Sequence, residues 1–410
     1  MTATAPTATA PTATTTGVST APGTRAPGQR LSTANAGPRP SVVGFGTATP
    51  ANSYTQREML ELFGIEDPRI RSVFLNSAIE RRYLTLPPEL ADGTRKTETQ
   101  GELLAKHKAQ GIRTGREALE TALKRAGLAL SDVGYLCCVT TTGLLTPGFS
   151  AHLVKDAGLP VSTGRLDVVG MGCNAGLNAM AAVASWSAAN PGQAAVMVCA
   201  EVCSAAYVFD GTMRTSVVNS LFGDGAAAVV MVTDPAGTGH AAHSAQTTEA
   251  VEAGEAGEAD EAAPVGTVLK AASRIIPEAV DAMRYDWDDD QGKFSFFLDR
   301  DVPYVVGANA EEVVDRLLGG TGLERADIDH WLVHSGGKKV IDSVKVNLGL
   351  STYALRHTTG VLRDYGNLSS GSFLFSYERL MEEGRVRRGD YGVLMTMGPG
   401  STIETALVQW

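Results

Sequence analysis

Four apolar runs constrain this chain more than any other feature. "VGYLCCVTTT" (133–142), "GRLDVVGM" (164–171), "AAVMVCAEV" (194–202) and "GAAAVVMVT" (225–233) read as strands, and most carry too little polar alternation for a face in water. Helical stretches lie between them. Two more precede them: "YTQREMLELFGI" (54–65) and "TGREALETALKRAGL" (114–128), the latter ending at Gly127. Strands of this kind alternating with helices imply layers of helix on a largely buried sheet, an α/β fold.

The pattern recurs later. "HWLVHSGG" (330–337) is a strand-to-loop step, "GSFLFSYERLMEE" (371–383) a helix, and "YGVLMTMGPG" (391–400) a strand ending in glycines. "STIETALVQW" (401–410) is a final strand. Two similar halves follow, 41–239 and 265–410. Two segments lack apolar period: the Ala/Thr/Pro tail over 1–40 and the acidic, Ala-rich stretch 240–264. Neither buries enough surface to offset its ordering entropy, so both are expected to be flexible. "RYDWDDDQGKFSFFLD" (284–299) reads as a hairpin. Its aspartates lack the ligand spacing of a calcium loop, so a solvated acidic turn is expected.

Bulk properties exclude several functions. A net charge of −10 argues against nucleic acid as partner. No apolar run is long enough for a membrane span. The five cysteines, Cys137, Cys138, Cys173, Cys199 and Cys203, have neither disulfide-framework nor zinc-finger spacing. A reducing cytoplasm and no metal are expected.

"VVGMGCNAGLNAMAAVASW" (168–186) places Cys173 among glycines between a strand and an Ala-rich helix. A helix start supplies unpaired N–H groups and partial positive charge, which lower a thiol pKa. On this stretch alone, a nucleophile and a small buried hydrophobe are both admissible. His334 follows an apolar strand and precedes Gly336 and Gly337; Asn367 sits in "LRDYGNLSSG" just before a helix. Each alone fits a core histidine or a turn residue. Together with Cys173 they form the set a thiolate acyl transfer needs: nucleophile, imidazole and oxyanion donors.

The blocks "GFGTATP" (44–50), "SAIERRYL" (77–84), "GMGCNAG" (170–176), "SLFGDGAAA" (220–228), "HSGGKK" (334–339), "DYGNLSS" (364–370) and "GPGSTIETAL" (398–407) occur in order. In them the chain resembles the type III polyketide synthases, the chalcone-synthase-like branch of the thiolase superfamily, from about residue 41 to the C-terminus. The resemblance implies a five-layered αβαβα thiolase fold and a catalytic triad at Cys173, His334 and Asn367. It implies a gatekeeper at Phe222 and a cyclisation-pocket loop at Met397, Gly398, Pro399 and Gly400. Thr146 stands where many members carry a methionine that reaches into the partner's cavity. CoA-binding cations fall near Arg69 and Arg71, although Asn76 replaces one family lysine; Arg81, Arg82, Lys338 and Lys339 are further candidates. All six are equally readable as surface charge.

The implied reaction is decarboxylative condensation of malonyl-CoA, without metal or organic cofactor, in a homodimer. Three stretches, 284–299, 333–350 and 358–380, look like a bacterial branch of antibiotic pathways. That branch uses malonyl-CoA as starter and extender, cyclises an eight-carbon tetraketide to an aromatic CoA thioester, and works with small hydratase-like partners. An initiating β-ketoacyl-ACP synthase shares the triad but needs a basic docking surface. A thiolase needs a second cysteine near the C-terminus, and none follows Cys203.

Overall fold

The computed structural model describes residues 39–93, 95–234 and 266–410. The expectations for the tail and for 240–264 lie almost entirely outside them, although Pro40 already pairs in the first strand.

The first half runs β1 (Pro40–Ala48), β2 (Ser53–Thr55), α1 (Gln56–Leu62), α2 (Pro68–Leu75), β3 (Arg81–Tyr83), α3 (Gln100–Ala126), β4 (Val133–Thr140), α4 (Phe149–Ala157), β5 (Gly164–Val169), α5 (Ala175–Ala189), β6 (Ala194–Glu201), α6 (Met213–Leu221) and β7 (Gly225–Thr233). The second runs β8 (Gly266–Ile275), β9 (Met283–Asp288), β10 (Lys293–Leu298), α7 (Val302–Leu318), β11 (His330–Val333), α8 (Lys338–Leu348), α9 (Arg356–Tyr365), α10 (Ser372–Glu382), β12 (Tyr391–Gly398) and β13 (Thr402–Gln409). The four founding runs are β4, β5, β6 and β7; β4, β6 and β7 are buried as expected, whereas β5 stands at the end of the strand order and none of its residues is buried. Helix α3 ends at Gly127 as expected, in a left-handed cap, but starts well before the expected stretch, at a Thr99–Glu102 capping box.

Strands β1, β7, β6, β4 and β5 form one sheet, and β11, β12, β13 and β8 another; a short β1–β8 pairing joins them edge to edge. Five layers result. Helices α3 and α4 pack outside the first sheet, through Leu119, Leu123, Phe149 and Leu153. Helix α7 packs outside the second, through Val306, Val313 and Leu317. Helices α5 and α10 lie between the sheets, where Leu177, Met180, Phe373 and Leu374 meet strand residues of both halves. α5 is apolar around most of its surface because both sheets cover it. Within this layer Gly176 is indispensable: a Cβ there would lie 2.2 Å from the Ser370 carbonyl oxygen. The thiolase fold expected from the sequence is therefore present. The stretch 284–299 is the β9–β10 hairpin, with Tyr285 opposite Phe296.

Candidate active site

Each candidate group stands at a buried junction between elements; Cys173 lines a cavity, whereas His334 and Asn367 are buried outside its lining. Cys173 follows β5 through Gly170 and Gly172, both at positive φ, and lies in a short turn of helix that feeds α5. Gly172 has no room for a side chain, since a Cβ would lie 2.1 Å from Pro399 Cδ. The loop after β12 thus packs directly on the turn carrying the thiol. Cys173 is 7% exposed.

His334 leaves the end of β11, its N–H donating to the Met395 carbonyl of β12 at 2.8 Å. Its side chain is buried and Nδ1 has no hydrogen-bond partner. Asn367 follows Gly366 and is pinned on both sides. Its N–H donates to the Leu221 carbonyl, and its carbonyl accepts from Gly223 N–H, both at 2.9 Å. Phe222 lies between those two partners, so one backbone clamp positions Asn367 and the aromatic together. Asn367 Oδ1 accepts from Ser369 N–H at 2.8 Å, which turns the amide so that its Nδ2 donors are its free end.

Ser369 links these segments. Its hydroxyl lies 3.5 Å from Cys173 Sγ and 2.9 Å from Thr141 Oγ1. Thr141 Oγ1 donates to Glu201 Oε2 at 3.0 Å, and Ser370 donates to the other carboxylate oxygen. A chain of hydroxyls therefore runs from the thiol to a buried carboxyl, whose pKa burial raises. The sequence reading missed Ser369, Thr141 and Glu201. The Ser-Ser pair after Asn367 was the available signal.

Burial also dominates the thiol. The expectation that the helix start lowers its pKa is not met: desolvation pushes Cys173 up to about 12, with the Ser369 hydroxyl and the residue's own N–H opposing it. Desolvation holds the His334 imidazole down at about 3. The two groups are both neutral when considered singly.

Cys173 opens into a cavity of about 560 Å³, within the size range of small-ligand sites. Its lining is mainly apolar and includes Phe222, Phe296, Tyr207, Tyr285 and Pro399. Phe222 meets Phe296 edge to face at 5.8 Å. Phe296 is a second aromatic the sequence reading passed over. Of the four loop residues, Pro399 lines the cavity, whereas Met397 is packed in the core and Gly398 lies across the start of α5. Thr146 is exposed and does not line this chain's cavity; Leu144, 72% exposed, does.

The cations are not at the cavity. Arg69 is exposed and paired with Asp67 at 3.2 Å. Arg71 is half-buried and donates to the Ile65 carbonyl at 2.9 Å. Lys338 pairs with Asp342 at 2.6 Å, and Lys339 is exposed. Arg81 is exposed too. Arg82 is a correction: it is 0% exposed and no candidate for CoA. Its guanidinium donates to the Tyr207 hydroxyl (2.8 Å), the Asn219 carbonyl (2.6 Å), the Phe222 carbonyl (2.8 Å) and Gln56 Oε1 (2.8 Å). It holds the backbone of the gatekeeper segment. Arg82→Met leaves the Asn219 carbonyl and Gln56 Oε1 without this buried donor, while the Phe222 carbonyl keeps the Tyr207 hydroxyl, and is expected to cost on the order of 3–5 kcal/mol in denaturant unfolding. A shift below about 1 kcal/mol would show that Arg82 braces nothing.

Among the described residues, no group of three or more His, Cys, Asp or Glu is placed to hold a metal, and no helix is long and apolar enough to cross a membrane.

Comparison with known proteins agrees with this geometry. The models of the N-terminal and C-terminal domains of chalcone and stilbene synthases match residues 28–235 and 267–410. A 3,5-dihydroxyphenylacetyl-CoA synthase of Streptomyces toyocaensis is 64% identical over 91% of this chain and 90% of its own. One from Amycolatopsis balhimycina is 62% identical over 90% and 92%. The crystal structure of PKS-I from the brown alga Ectocarpus siliculosus superposes with a TM-score of 0.79 at 25% identity, covering 92% of this chain and 99% of that one.

Proposed function

The chain belongs to the chalcone and stilbene synthase family, and from that premise we propose that Cys173, His334 and Asn367 carry its chemistry. The enzyme is a type III polyketide synthase that condenses malonyl-CoA and forms 3,5-dihydroxyphenylacetyl-CoA. One observation carries the residue assignment: the thiol of Cys173 opens into a buried, mainly apolar cavity, beside the segment that orients Asn367.

Cys173 and His334 act as a pair. A lone thiolate or a lone imidazolium is heavily penalised by burial. Transfer of the thiol proton to the imidazole creates adjacent opposite charges, whose attraction in a low dielectric offsets much of that penalty. The thiolate then attacks the thioester carbonyl of a CoA substrate, and CoA leaves as its thiol. A second malonyl-CoA loses CO2. The electron pair of the broken C–C bond becomes an enolate, whose oxygen takes hydrogen bonds from Asn367 Nδ2 and from the imidazole. The enolate carbon attacks the acyl-cysteine carbonyl, Cys173 leaves as thiolate, and the chain has grown by two carbons. Eight carbons accumulate before aldol ring closure, dehydration and aromatisation give the product thioester.

These steps require neither metal nor organic cofactor, and CoA thioesters are the substrates. Arg69, Arg71, Lys338 and Lys339 are the proposed cations of the CoA approach; surface exposure supports this. Leu144 and Thr146 form an uncovered edge that supports a homodimer, with the partner copy closing the cavity. Small hydratase-like partners and the division into halves at 41–239 and 265–410 belong to the same reading.

Malonyl-CoA as sole substrate is expected to give the dihydroxyphenylacetyl thioester, or a linear precursor that a dehydrating partner completes. A naphthalene or phloroglucinol product would overturn the product assignment. Asn367→Ala is expected to slow malonyl-CoA decarboxylation by about 10²–10³-fold while acyl loading of Cys173 persists. Equal loss of both steps would remove Asn367 from the enolate's oxygen.

A further inference from the structure

Strands β4 and β6 pair in parallel register up to Val139 and Cys199 and then part to admit the cavity. Beyond that point three consecutive threonines replace the ladder with side chains. Thr140 Oγ1 donates to the Ala200 carbonyl at 2.8 Å, Thr141 bonds Glu201, and Thr142 Oγ1 accepts from Val202 N–H at 2.9 Å. The register is unbroken. On one side of the opening Thr141, Thr142 and Gly143 line the cavity, and on the other Cys203, which follows Val202.

The last of these stitches has a support. His107 Nδ1 lies 3.1 Å from Thr142 Oγ1. His107 is 0% exposed and sits on α3 one turn beyond Leu104, which lines the cavity. Its ring fills the space beneath Gly143, where a Cβ would lie 2.3 Å from Cδ2. Nε2 has no hydrogen-bond partner. Desolvation holds the ring neutral, with a pKa of about 4. Thr142 Oγ1 accepts from Val202 N–H and keeps both a proton and a second lone pair, so it meets Nδ1 as donor or as acceptor according to the ring's tautomer. An apolar side chain would fill the same space but offer the Thr142 hydroxyl no partner, so Nδ1 is what distinguishes histidine here.

We propose that His107 is a positioning residue that fixes the Thr142 hydroxyl, thereby holding the two walls of the cavity at the spacing that folds the growing chain for ring closure. This inference rests on the polyketide synthase reading. It concerns where the chain bends, and not whether it is made. His107 touches neither Cys173 nor the cavity space.

The test uses full-length protein with malonyl-CoA alone and two readouts: CO2 released, and the split between ring-closed aromatic thioester and prematurely released pyrones. Three variants separate the possibilities. His107→Leu removes the ring's hydrogen-bonding nitrogen, His107→Asn keeps a polar atom near the Nδ1 position, and Thr142→Val removes the hydroxyl. His107→Leu and Thr142→Val are expected to raise the pyrone fraction about fivefold or more, while His107→Asn stays near wild type. In His107→Leu, CO2 release continues. The double variant is expected to match either single one, as two halves of one bond should. An unchanged split in His107→Leu, or identical splits for His107→Asn and His107→Leu, overturns the proposal. Should His107→Leu fail to fold, Thr142→Val, near in volume, decides the question in the same way. A wild-type protein that releases no CO2 from malonyl-CoA overturns the polyketide reading itself; normal release with an unmoved split overturns this inference alone.

Discussion

Cys173→Ala is expected to abolish carbon–carbon bond formation, lowering it by at least about 10⁴-fold. The same variant should show no acyl adduct by intact mass after exposure to malonyl-CoA, whereas the wild-type chain should carry one. Folding should be little affected, because alanine is smaller than the buried thiol and, among the described residues, the Cys173 side chain's hydrogen-bond partner on another residue is Ser369, at 3.5 Å. The comparison thus isolates chemistry from stability. Condensation that continues in Cys173→Ala would mean that chain growth proceeds on CoA and not on the enzyme, and the mechanism would fail at its first step.

His334→Gln carries the second large effect, and its signature is a pH profile. On the proposed pairing the thiol and imidazole share one proton, so alkylation of wild-type Cys173 by iodoacetamide should change little between about pH 7 and 9. Without the imidazole the thiol titrates as an isolated buried group, pushed up to about 12 by desolvation. A raised thiol pKa keeps the group protonated below it, and the reactive thiolate fraction rises tenfold per pH unit up to that value. Alkylation of His334→Gln at neutral pH should therefore fall by about 10²-fold or more and climb steadily with pH. Condensation should fall by at least about 10²–10³-fold, since the imidazole also serves the enolate. Superimposable profiles for the two proteins would separate His334 from the thiol.

The three residues proposed as the triad stood out because each stands at a junction that sequence marks well. A strand ends, glycines follow, and a polar or thiol side chain precedes the next element. The layered fold was legible for a related reason: strands buried on both faces show as near-continuous apolar runs. Arg82 was misplaced where an available rule applied. Arg81 and Arg82 are neighbours on β3, and successive strand residues point to opposite faces; one is in water and the other in the core. Met397 was assigned to the cavity through its loop, yet its pairing with Ile403 keeps it in strand β12, and the turn begins only at Pro399. Thr141 and Glu201 could not be gathered from sequence, because they belong to distant segments with unremarkable local patterns; only Ser369, in the Ser-Ser pair after Asn367, carried a signal. His107 was hidden for the same reason. The CoA approach is a property of surface shape, which apolar patterning does not encode.

The missing space at Gly176 bears on how such an enzyme can diversify. The groups proposed to make the bond are seated where the two halves abut so closely that even a methyl cannot be inserted. Heritable change in what is built has room on the opposite side, among Leu144, Tyr285 and Phe294, where the chamber borders solvent. Invention of new products and preservation of the reactive machinery are thereby assigned to different addresses in one chain.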